Sequence, residues 1–153
     1  MPSFADIANK KVEEVEKPAL LPVGTYRFSI IKIPEASKSR DEAWEFLRIP
    51  VRVIEALDNV DTSDFKGDVA GQLMSKSFVF NTQDEAEFGK AEWNMTQFFE
   101  KHVGCVESGA SIAQMLNSSV NGQFLGDVVW KQDKRDESGE TFQAEIGRTA
   151  PVA

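Results

Sequence analysis

Apolar residues recur at every second position from Gly24 to Asn81, then at helical spacing from Asp84 to Leu116, then at every second position again. A period of two marks strands with one buried face and a period near 3.6 marks helix, so this alternation fixes the order of elements. Five segments carry the short period: GTYRFSIIKI from Gly24, EAWEFLRIPVRVIEA from Glu42, QLMSKSFVFN from Gln72, GQFLGDVVWK from Gly122 and ETFQAEIGR from Glu140. Between the third and fourth, Thr82 or Asp84 caps a helix carrying Phe88, Met95, Phe98 and Phe99 that stops at Gly104. Ser111 opens a shorter helix expected to bury Ile112, Met115 and Leu116. The order is βββ-α(α)-ββ. A mainly β, OB-like five-stranded barrel has this order, with the helix between its third and fourth strands. Parallel winding is disfavoured because strands do not alternate with helices, while an antiparallel sheet with one helix packed on it stays open.

At 153 residues the chain is long enough for one domain with a real core. Residues 1–18 read as a lead, helical or extended, with Phe4, Ile7, Ala8, Val12 and Val15 at roughly helical spacing. Residues 19–150 form the OB-like domain and 151–153 a short tail. Phe80, Trp93 and Trp130 are expected in the core, as Phe78 is on one of its two readings.

The second strand has an unusual outer side. Leu47, Ile49, Val51 and Val53 form one apolar face, while Trp44, Phe46, Arg48 and Arg52 fall on the other. A half-exposed strand normally sets small polar groups against water. Pro50 removes a ladder donor and invites a bulge that would flip everything after it, so the outward placing of Arg52 depends on Pro50 more than that of Arg48 does. Exposed rings stack bases and adjacent cations track phosphates, which is how single strands are held. OB-folds use this face together with the loops after strands one and four. The candidate nucleic-acid-binding residues are therefore Trp44, Phe46, Arg48, Arg52 and Arg27, with Lys76 and Phe78 on the third strand. Lys38 and Arg40 in PEASKSRDEA and Lys131, Lys134 and Arg135 in KQDKRDESG complete the set. The competing reading packs Trp44 and Phe46 under the lead or a neighbouring subunit, and leaves Lys134 and Arg135 as a solvated hairpin tip.

The formal net charge of −8 argues against coating of duplex DNA by blanket positive charge, but permits a local basic strip. One cysteine, Cys105, excludes an intrachain disulfide, and no apolar run is long enough to span a bilayer. With no secretory pattern at the N-terminus, a cytoplasmic location is expected. No P-loop, GxGxxG or zinc spacing occurs, and His102 with Cys105 lacks an orienting third group. The expectation is a non-enzyme without cofactor or metal.

The lead SFADIANKKVEEVEKPALLPVGTYRFSI, the segment EASKSRDEAWEFLRIPVRVIEA and the late LNSSVNGQFLGDVVWKQDKRDESGETFQAEI together resemble small bacteriophage OB-fold single-stranded DNA-binding proteins of replication modules. The resemblance implies sequence-independent binding that protects single-stranded DNA in phage replication or recombination, inside the host cell. It implies roles for Lys38, Arg40, Trp44, Phe46 and Arg48, with phage or host replication proteins as partners. The chain departs from the pattern at Arg40-Asp41, where a turn glycine would be usual, and in ending GRTAPVA rather than in an acidic recruiting tail. Assembly of subunits through the lead is a further expectation. The alternative function is an acidic phage interaction protein, either a virion or assembly component or a DNA-mimic decoy of a host protein.

Overall fold

The structure is a computed structural model and describes residues 3–12, 19–132 and 142–152. Strands β1 (Gly24–Ile30), β2 (Glu35–Lys38), β3 (Trp44–Ala56), β4 (Leu73–Asn81), β5 (Gln123–Gln132) and β6 (Phe142–Ala150) form one six-stranded antiparallel sheet among the described residues. Six strands replace the expected five because part of the polar connector PEASKSRDEA is itself a strand. β4 holds one edge of β3 from Trp44 to Arg52, so β1 and β2 follow one another along the other edge. Ile30 lies opposite Val51 and Glu35 opposite Arg48. The chain between them bows out of the ladder.

Pro50 sits opposite that break. Its carbonyl accepts the Ile31 N–H at 3.1 Å, so its donor-less nitrogen faces the same side, where no strand asks for a hydrogen bond. The β3–β4 register runs without a shift from Trp44 to Arg52, and the parity of the outer face survives the proline. The irregularity comes later, between Arg27 and Phe28 of β1, and leaves both Ile54 and Glu55 of β3 exposed.

The sheet does not close into a barrel. β4 and β6 end the path β4–β3–β1–β5–β6 and approach each other without pairing. Side chains occupy the seam instead. Phe98 packs 5.6 Å from the Phe78 ring of β4 and 4.9 Å from Phe124 of β5, while His102 Nδ1 lies 2.6 Å from Thr149 Oγ1 of β6. These residues belong to α2 (Glu85–Gln97) and its π-helical extension Phe98–Val103. Asp84, not Thr82, is the cap: its carboxylate accepts the Ala86 and Glu87 N–H groups at 3.0 and 3.1 Å. The wide turn buries the consecutive Phe98 and Phe99, and Gly104 ends it at φ 73°. In α3 (Ile112–Ser118), Ser111 and Gln114 cap reciprocally and Met115 is buried, but Ile112 is exposed. Of the lead, α1 spans only Phe4–Ile7, and Phe4, Ile7 and Val12 are exposed. Val15 lies outside the described residues.

Two tryptophans depart from the core placing. Trp93 is 64% exposed because the buried stripe of α2 runs through Phe88, Ala91 and Met95, on the opposite side of the helix. Trp130 is 49% exposed although it shares parity with Phe124 and Val128, since β1 ends opposite Val128 and its ladder does not reach Trp130. Its Nε1 donates to the Leu21 carbonyl at 2.7 Å. Phe80 is buried, and Phe78 is partly buried against the core. No helix among the described residues is long and apolar enough to cross a membrane.

Tyr26 gives the core a measurable signature. Its hydroxyl donates to the Pro22 carbonyl at 2.6 Å, and burial pushes its pKa up to about 12. Above pH about 10 the unfolded chain loses this proton while the folded chain keeps it, so stability falls with rising pH, by at most about 1.4 kcal/mol per pH unit, until about 12. Tyr26 is the sole tyrosine. Ultraviolet titration should place its native midpoint well above that of the chain in denaturant; coincident midpoints would refute the assignment.

Candidate nucleic-acid interface

The outer face of β3 presents Trp44, Phe46, Arg48 and Arg52 in a row, as strand alternation requires once Leu47, Ile49, Val51 and Val53 are buried on the core side. Trp44 is 42% exposed, Phe46 is half-buried, and both arginines are exposed. On β4, Val79 stands opposite Phe46, Ser77 opposite Arg48 and Leu73 opposite Arg52. Val79 and Leu73 are also exposed, which widens the row into an apolar and cationic surface. Neither Arg48 nor Arg52 forms an ion pair among the described residues. Both are therefore available to an anion from solution.

The other candidates divide. Arg27 reaches across to Glu55 at 3.4 Å, and its Nε is buried without a hydrogen bond among the described residues. It is committed to the sheet more than to a ligand. Lys38 pairs with Glu45, whose side of β3 is the Leu47 side, so it lies on the face opposite Trp44 and Phe46. Arg40 is exposed in the β2–β3 turn. That turn is braced: Ser39 Oγ donates to Asp41 at 2.7 Å and accepts the Trp44 N–H at 3.1 Å. The Asp41 carboxylate also accepts the Ala43 N–H at 3.1 Å. The Ser39 hydroxyl first, and then the Ala43 N–H, hold the Asp41 carboxyl below its ordinary pKa. Glu42 takes the left-handed conformation, φ 58°, that a glycine would adopt without strain.

Lys76 and Phe78 face inward and do not join the row, because they pair with Ile49 and Leu47 of the core face. The Lys76 ammonium sits 5.1 Å from the Phe78 ring centre and 5.9 Å from that of Phe98, and burial lowers its pKa. Lys131 is exposed but paired with Glu145 at 3.2 Å. Lys134 and Arg135 lie outside the described residues.

Lys32 belongs to the site although alternation hides it. Counting by twos from Tyr26, Phe28 and Ile30 would turn it into the core, but the break between β1 and β2 resets the phase. Lys32 and Arg48 line a cleft of about 200 Å³ with Ile33, Glu35 and Pro50, at one end of the aromatic row. At the other end, Trp44, Val79 and Asn81 face Glu87, Lys90 and Asn94 of α2 across a groove of about 300 Å³. Of these, the sequence singles out Trp44 alone, since an asparagine at a strand end and a polar helix face carry no pattern of their own.

His102 and Cys105 do not converge. The imidazole is spent on Thr149, and the Cys105 thiol faces the Phe99 and Met115 carbonyl oxygens at 3.6 and 3.9 Å. Burial raises the thiol pKa, the reverse of what activates a nucleophile. Among the described residues no three His, Cys, Asp or Glu side chains gather where they could hold a metal ion.

What the fold and this face define is a β-rich scaffold that offers one strand of rings and unpaired guanidinium groups to solvent. No protein-family model matches the chain, and no curated protein matches it in sequence.

Proposed function

We propose that this protein is a non-enzymatic binder of single-stranded DNA with little sequence preference, using the outer face of β3. The observation that carries the reading is the row Trp44, Phe46, Arg48 and, past Pro50, Arg52 on one face of β3, in which Trp44 is exposed, Phe46 half-buried and the arginines have no ion-pair partner among the described residues. Trp44 and Phe46 stack bases; Arg48, Arg52 and Lys32 neutralise phosphates. An OB-like architecture is part of the same proposal. The path β4–β3–β1–β5–β6 with the helices inserted between β4 and β5 is compatible with a partly open barrel whose final seam is filled by side chains. The biological role that fits is protection of single strands during phage replication or recombination, alongside replication proteins.

Fluorescence anisotropy of labelled oligo-dT, measured across a salt series, tests this. Affinity should fall with salt at a log–log slope of about −0.7 per phosphate contacted. Replacing Arg48 and Arg52 together by Gln should make that slope shallower by about 1.4, one contact for each residue. Lys101→Gln, on the helical extension, should leave it unchanged. Absence of binding at low salt would sink the proposal and favour the acidic interaction protein, with Trp44 and Phe46 as anchors for a protein partner.

A further inference from the structure

We infer that the groove between Trp44 and α2 is a pocket for one nucleobase, held face-on by the indole and edge-on by Asn81 and Asn94. This rests on the single-strand reading and gives it an internal direction, with a base subsite at the Trp44 end and a phosphate subsite at the Lys32–Arg48 end. Trp44 and Asn81 are directly opposed across β3 and β4. Glu87, Lys90 and Asn94 stand at i, i+3 and i+7 on α2 and so share one stripe along the opposite wall.

Charge separates the two ends. In the groove, the one cation and the one carboxylate satisfy each other, with Lys90 Nζ 3.3 Å from Glu87 Oε1. A phosphate entering there would meet a carboxylate and a cation already engaged. The Lys32–Arg48 cleft instead holds two cations without ion pairs among the described residues, against one carboxylate, Glu35. The groove is thus close to neutral, with the ring and Val79 for a flat apolar face and carboxamides for a polar edge. Asn81 Oδ1 accepts the Gln83 N–H at 3.0 Å, which fixes the carboxamide and leaves its NH₂ to donate. The Asn94 side chain makes no hydrogen bond among the described residues. The Watson–Crick edge of every base sets donors beside acceptors, and a carboxamide offers both in one plane. A volume of about 300 Å³ is at the lower end of small-molecule sites and suits one base rather than a run of them.

The test is the affinity of the full chain for short unstructured homopolymers of dT, dC and dA at fixed salt. One pocket that reads a base edge should separate the best from the worst by about fivefold or more. Asn94→Ala should shrink that spread toward unity, and Asn94→Leu, which fills the groove from an exposed helix position, should abolish it. Arg48→Gln should lower all three affinities by the same factor and preserve the spread. Binding with equal affinities, or a spread that survives both Asn94 variants, would overturn the pocket while leaving the stacking row standing. Failure to bind any homopolymer would overturn both readings together.

Discussion

Trp44→Ala is expected to weaken oligo-dT binding by about 5- to 150-fold, the range that corresponds to about 1–3 kcal/mol for one stacked base. Phe46→Leu should follow in the same direction with a smaller loss, because leucine keeps most of the apolar area and removes only the flat ring. The two rings are neighbours on one face, so the double variant should lose less than the product of the single effects. Stability should fall less than for a sealed ring, because Trp44 is already 42% exposed, and the leucine at position 46 preserves packing against β4. Anisotropy titrations beside thermal melts decide the matter: a large drop in melting temperature with unchanged affinity would mean that the rings serve the fold and not a ligand.

Phe98→Ala should cost about 3–5 kcal/mol of stability, a large part of a typical total of about 5–15 kcal/mol. The ring is 2% exposed and touches Phe78, Phe99, Phe124 and His102, with the Lys76 ammonium over its face. It fills the place where β4 and β6 fail to pair, so its loss leaves a cavity that no backbone ladder can close. Lys76 would also lose one of its two rings. Urea unfolding should show a lower midpoint with little change in slope, and a cost below about 1 kcal/mol would mean that the helical insert is not what holds the ends of the sheet.

The order of five of the strands and of the helices, the buried face of β3 and the cap of the shorter helix are legible in the sequence because each rests on local periodicity or a local hydrogen bond. Leu47, Ile49, Val51 and Val53 announce their burial and Ser111 announces its helix, whereas Thr82 and Asp84 both qualify as the other cap until the Ala86 and Glu87 N–H groups are placed. What stays hidden depends on contacts distant in sequence. The extra strand β2, inside a connector that reads as a polar loop, depends on how the chain bows opposite Pro50, and that break is what frees Lys32 from its apparent inward phase. Lys76 alternates correctly with its neighbours, yet parity alone does not say which face of β4 is the core until β3 is paired beside it. Trp130 keeps core parity and remains exposed, since only the end of β1 determines whether anything lies above it. The groove beside Trp44 joins a strand to a helix that no periodicity relates.

Because Pro50 leaves the register of β3 undisturbed, the row on its outer side would serve the proposed single strand as a ruler. Alternate residues of a strand stand about 6.6 Å apart. The rise per nucleotide along one strand of a duplex is about 3.4 Å, half that interval. A chain that lays consecutive bases on consecutive marks must be drawn out to about twice its duplex rise, which breaks base-to-base stacking. A paired helix resists such stretching, whereas a lone strand yields to it. The spacing of Trp44 and Phe46 would on its own reject double-stranded DNA, with no contribution from charge.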